Sequence, residues 1–152
     1  MDPVRKPPPI SHAKTLSDVA AWSDSRAVFR RNLRDWAEQV RGLTVRSQLI
    51  ASVIVPPRVL RGRFPEGAVA DAWLAAYAEY VCLHMSAAIP EWALKPNRFL
   101  VEPSFDDGVL DPKFRALVLD ASPEAFRRRN VFTTAVDLVL KAGAEPEPGM
   151  LF

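Results

Sequence analysis

At 152 residues the chain is long enough to bury a core without disulfides or metal, and too short to call for a second domain. With 49% hydrophobic and 25% charged residues it is neither disordered nor a coiled coil, and a net charge of +2 neither demands nor excludes a nucleic-acid partner. A single cysteine, Cys82, rules out an internal disulfide, and no apolar run approaches the roughly 20 residues of a membrane span, so a cytoplasmic protein without membrane contact is expected.

Residues 1–13 hold Pro3, Pro7, Pro8 and Pro9 among basic side chains, a composition that favours solvated, extended backbone and predicts a flexible arm. A helical domain is expected over 14–143 and a tail, AEPEPGMLF, over 144–152. A short helix starts at Thr15 or Ser17, with Leu16, Val19, Ala20 and Trp22 on its apolar side. After a break at Ser23 and Asp24, Val28, Phe29, Leu33, Trp36 and Val40 recur at helical steps until Gly42 stops them. The outer face of that helix carries Arg26, Arg30, Arg31, Arg34 and Arg41 against Asp35 and Glu38, which reads either as a solvated face or as a phosphate-binding ridge.

Residues 45–54 mix β-branched side chains with a helical step from Leu49 to Val53, and Thr44 as a cap favours helix. Pro56 and Pro57 end it, and a basic connection with Arg58, Arg61 and Arg63 follows. The longest helix spans about 68–88 and is apolar over much of its circumference, which makes it the expected central pillar. Residues 89–103 form a proline-bounded connection whose Trp92, Phe99 and Leu100 should pack across the helices. Asp106, Asp107 and Gly108 have a turn-forming order, then Asp111 and Pro112 open a helix with Phe114, Leu117 and Val118 inward.

The most legible unit is 122–143, SPEAFRRRNVFTTAVDLVLKAG. Ser122 is expected to cap a helix begun by Pro123 and Glu124. Thr134 and Asp137 suggest a capping box for a last helix that Gly143 stops. Between the two starts, Arg127, Arg128 and Arg129 must meet water, carboxylates or phosphates. The fold class that follows is all-α: one irregular helical domain of about five to seven helices with a proline-rich N-terminal arm.

Catalytic chemistry is not indicated. His12 and His84 are the only histidines, too few for a histidine metal site; Cys82 and His84 are two residues apart and point to different sides of a helix. Asp106, Asp107 and Asp111 lack the spacing of a calcium loop and read as turn and cap residues. Neither a P-loop nor a glycine-rich dinucleotide turn is present, and no cofactor or metal is expected.

The stretches PEWALKPNRFLVEPSF and SPEAFRRRNVFTTA carry a P-x-W…F-L-x-x-P-x-F order followed by S-P-x-x-F-R-x-R-N-x-F, matched at Ser122, Pro123, Phe126, Arg127, Arg129, Asn130 and Phe132. In this the chain resembles an uncharacterised family of small bacterial helical proteins, over most of 15–142. The resemblance implies an antitoxin-like partner of a nucleotidyltransferase-like toxin and brings no catalytic residues. The expected contact residues are Trp92, Phe99, Arg127, Arg128, Arg129 and Asn130, since Trp and Arg anchor interfaces. In the plainer reading Phe126 and Phe132 are core, and Arg127 and Arg129 close salt bridges to Glu102, Asp106 or Asp107. An alternative function is DNA binding through Arg30, Arg31, Arg34 and Arg128, with a helix-turn-helix formed by 124–129 and 134–141.

Overall fold

Residues 12–105 and 112–133 are described by the computed structural model. Helix α1 (Leu16–Ala21) starts where the Thr15 hydroxyl accepts the Asp18 N–H at 3.0 Å. Helix α2 (Arg26–Arg41) starts at the Ser25 hydroxyl, which accepts the Val28 N–H, and ends at Gly42. Both N-termini thus satisfy an otherwise orphaned amide with a side-chain oxygen. Helix α3 (Arg46–Ile54) resolves the ambiguity of 45–54 in favour of helix, but its cap is Val45, in extended conformation and without a side-chain bond, rather than Thr44.

Helix α4 (Gly67–His84) is the pillar the other elements pack on, and it ends four residues short of the expected 88. Its buried residues run around the helix and include Ala72, Leu74, Ala75, Ala76, Ala78 and Val81, so it has no solvent face in its middle turns. Two short 3-10 helices, Glu91–Leu94 and Pro96–Arg98, then run back along it, as expected of the aromatic connection. Strand β1 (Ser104–Phe105) pairs in parallel with strand β2 (Val131–Phe132), Ser104 opposite Val131 and Phe105 opposite Phe132. The two phenylalanine rings stack with centroids 5.3 Å apart.

Helix α5 (Pro112–Ala121) departs from the expected inward face: Val118 is buried, whereas Phe114 is 58% and Leu117 65% exposed. Helix α6 is a single turn, Glu124–Arg127, capped by Pro123 without a side-chain bond. Ser122 is therefore not its cap. The Ser122 hydroxyl instead donates to the Val118 carbonyl at 2.5 Å and accepts the Thr133 N–H at 2.9 Å, fastening the end of α5 to the strand.

The described residues thus form a mainly α domain, with six α-helices, one hydrophobic core to which α1–α4 and α6 contribute, and a two-stranded ribbon. Ala13 is fully buried in that core; residues 1–11 of the expected arm lie outside the described residues. The turn at 106–109, the Asp111 cap, the 134–141 helix and the 144–152 tail lie outside the described residues.

Candidate functional site

Helix α4 carries two carboxylates, Asp71 and Glu79, both with no exposure to water. An ion removed from water needs a partner of opposite charge and hydrogen bonds for its remaining lone pairs. The chain supplies both from the aromatic connection and from the segment after α6.

Arg129, also fully buried, donates through Nη1 to Glu79 Oε1 at 2.9 Å and to the Ala125 carbonyl at 2.9 Å, and through Nη2 to the Ala93 carbonyl at 2.7 Å. Its guanidinium lies over the Phe99 ring, 4.6 Å from the centroid. Burial lowers its pKa, and the hydrogen bond and charge of Glu79 oppose that shift. The other Glu79 oxygen, Oε2, sits 3.4 Å from Arg128 Nε in ion-pair contact without hydrogen-bond geometry. Arg128 is 40% exposed and also reaches Glu124 at 3.4 Å. One carboxylate is thus held between two guanidinium groups, one inside the core and one at the surface.

The second pair repeats the device at the other end of α4. Arg98 Nη1 lies 3.4 Å from Asp71 Oδ1, and its Nη2 donates to the Pro57 carbonyl at 2.6 Å. Asp71 also accepts the Leu60 and Arg61 N–H groups at 2.7 and 3.0 Å. Burial raises the Asp71 carboxyl above its ordinary value; the two N–H groups and Arg98 pull the other way. Trp92 stacks under Arg98, 4.9 Å from centroid to guanidinium, and its indole N–H donates to the Val53 carbonyl at 3.2 Å.

Asn130 takes a positive φ of 60° and donates to the Leu100 and Val101 carbonyls, while its own carbonyl accepts the Ser104 N–H. Asparagine tolerates this left-handed conformation better than most residues. The turn lets Arg129 point inward and β2 begin at the next residue.

Phe99, Arg129 and Asn130 are therefore brought together as an internal fastening and not as a contact surface, whereas Trp92 stands under Arg98 in the second pair. Trp92 is 6% exposed and Arg129 is sealed. The carboxylate that holds Arg129 is Glu79 rather than Glu102; Asp106 and Asp107 lie outside the described residues. Phe126 is core, as the plainer reading had it, packed edge-on against Trp73 and Tyr77 at 5.5 and 5.0 Å. Arg127 and Arg128 remain at the surface, and Arg30, Arg31 and Arg34 are exposed along α2. The proposed helix-turn-helix loses its first helix to the single turn of α6, which leads into a strand; its second lies outside the described residues.

Asp71, Glu79 and Arg98 were not singled out from the sequence, although a signal exists. A helix apolar on all sides that still contains two acidic residues must bury them, and two arginines must then come from elsewhere in the chain.

His84 is exposed and stacks on Tyr80 at 4.2 Å. Cys82 is buried, and burial pushes its thiol up, with Arg46 pulling it down. Among the described residues, no group of three or more His, Cys, Asp or Glu side chains is placed to hold a metal ion, and no helix is long and apolar enough to cross a membrane. No protein-family model matches the chain, and neither a curated protein nor a solved structure is found similar to it.

Proposed function

We propose that the chain is a non-enzymatic protein-interaction module, an antitoxin-like partner that binds and neutralises a nucleotidyltransferase-type toxin. The observation that carries the interaction reading is α5: Phe114 and Leu117, three residues apart on one face, stand 58% and 65% exposed. Exposed aromatic and aliphatic side chains on one helix face are the composition of an interface centre. The toxin-directed part rests on the S-P-x-x-F-R-x-R-N-x-F resemblance. Within that motif Phe126, Arg129 and Asn130 build the fastening and Arg127 faces solvent.

Co-purification with a nucleotidyltransferase-like protein encoded beside the chain tests the reading. Leu117→Glu is expected to weaken that complex at least about tenfold, a loss of about 1.4 kcal/mol, with an unchanged far-UV circular dichroism spectrum. A neighbour that neither co-purifies nor harms cells when expressed alone sinks it.

A second reading, DNA binding, is favoured by the exposed Arg30, Arg31 and Arg34 of α2. Titration of duplex from its own promoter at two salt concentrations separates the two. A specific site that survives moderate salt supports a regulator, and weak, steeply salt-dependent binding removes it.

A further inference from the structure

From Gln39 to Pro65 the chain contains no Asp or Glu and five arginines, and three of these, Arg58, Arg61 and Arg63, lie in the connection between α3 and α4. The backbone there is firmly held. The Pro57 carbonyl accepts from Arg98 at 2.6 Å, Asp71 takes the Leu60 and Arg61 N–H groups, and the Leu60 side chain is fully buried. Arg58 spends its guanidinium on the Ala20 and Ser23 carbonyls, which fixes the connection to the break before α2.

The tip of this connection is a β-turn: the Arg63 N–H donates to the Leu60 carbonyl at 2.9 Å, and Gly62, at the third position, takes a φ of 86°. Arg61, Gly62 and Arg63 are all exposed, and a Cβ on Gly62 would meet nothing within 4 Å. Asp71, the carboxylate bonded to the turn, is fully buried and also holds Arg98, which leaves the tip cationic. Charge is crowded here: burial and the neighbouring Arg63 lower the Arg58 pKa, and Asp24 opposes them.

We infer that the Arg61–Gly62–Arg63 turn is a site for the minor groove of A·T-rich duplex DNA. This rests on the DNA reading, to which it adds a site and a base preference, and is independent of the toxin-directed one. Guanidinium groups donate and never accept; the minor groove of A·T pairs offers acceptors alone, whereas a G·C pair places the guanine amino donor in their way. Arginine is more weakly hydrated than lysine, which suits a groove about 6 Å wide. A glycine between the two lets the backbone approach the groove with no side chain in between, and a turn already held by Asp71 loses little freedom on binding. The minor groove of duplex RNA is wide and shallow and would not enclose the tip. Phosphate contacts from the exposed Arg31 and Arg34 of α2, by contrast, would carry no base preference.

Fluorescence anisotropy of the full chain with short labelled duplexes at physiological salt tests it. The A·T duplex is expected to bind at least about tenfold more tightly than the G·C duplex, and Arg61→Ala with Arg63→Ala to abolish that preference while the circular dichroism spectrum and urea midpoint stay those of the wild type. Arg31→Ala with Arg34→Ala is expected to weaken both duplexes alike and to keep the preference. Equal affinity for the A·T and G·C duplexes, a preference that survives the loss of Arg61 and Arg63, or duplex RNA bound as tightly as A·T DNA overturns the inference and leaves the α2 reading standing; no binding to any duplex removes both.

Discussion

Arg129 and Glu79 illustrate how unequal the two halves of a buried ion pair can be. Replacing Arg129 by Met strands Glu79 in the core with only the long contact to Arg128, and removes the donors to the Ala93 and Ala125 carbonyls. A loss of about 3–5 kcal/mol is expected, the range for breaking a buried pair from one side. Glu79→Gln keeps an oxygen for Arg129 and leaves the two carbonyl bonds in place, so its cost should be smaller, about 1–3 kcal/mol. Urea denaturation of both variants checks the order; a reversed order would mean that the carbonyls are not what Arg129 is there to hold.

Cys82 gives a second residue-scale test. Buried, with its thiol pushed up by that burial, it should resist Ellman's reagent in the native protein and react as soon as urea unfolds the chain. Rapid native-state labelling would contradict the packing around the C-terminal turns of α4.

At the scale of elements, Gly67 shows a local preference overruled by a neighbour. Alanine is the better helix former by about 1 kcal/mol, and Gly67 is the first residue of α4. Yet a Cβ there would overlap the Leu60 carbonyl and crowd the Arg61 Cα. Those are backbone atoms whose amides are held by Asp71, so the loop cannot yield without losing those bonds. Gly67→Ala is therefore expected to destabilise by about 1–3 kcal/mol, read as a lower midpoint in the same denaturation experiment; a gain in stability would show that the loop moves freely.

The same competition between local and distant partners explains which elements were legible. Thr15 and Gly42 mark helix ends through bonds within a few residues, so sequence spacing finds them. The Ser122 hydroxyl has the right neighbours for a cap, but its bond to Thr133 lies eleven residues away and takes it elsewhere. Periodicity alone predicted Phe114 and Leu117 inward on α5. A helix can present an apolar stripe to a partner as readily as to its own core, and periodicity does not tell these apart. The arginine triplet was plain in the sequence, but the choice of Arg129 for burial depends on the turn at Asn130 and on a carboxylate fifty residues earlier.

Across the whole molecule, arginine is the residue that joins distant segments. Arg46 reaches Met85, Arg58 reaches Ala20, Arg98 reaches Pro57 and Arg129 reaches Glu79, each bond spanning 35 or more positions of the chain. The guanidinium suits this work because its five donors satisfy several carbonyls at once while its flat face lies on an aromatic ring, as Arg98 does on Trp92 and Arg129 on Phe99. Such long-range bonds make the segments depend on one another. Residues 124–132 deliver Phe126 to the rings of Trp73 and Tyr77 and Arg129 to Glu79. A chain ended at Ala121 would leave a bare carboxylate and a gap in the aromatic cluster on the same helix, α4. The two losses share that helix and should compound, so the truncated chain is expected to lose its cooperative thermal transition and not merely to melt a few degrees lower. Calorimetry of the truncated and full chains decides this. If a sharp transition survives the truncation, α4 keeps its packing without the cation that neutralises Glu79, and the pairing is an accessory of the fold; if it disappears, the ion pair and the aromatic cluster act as one closing contact.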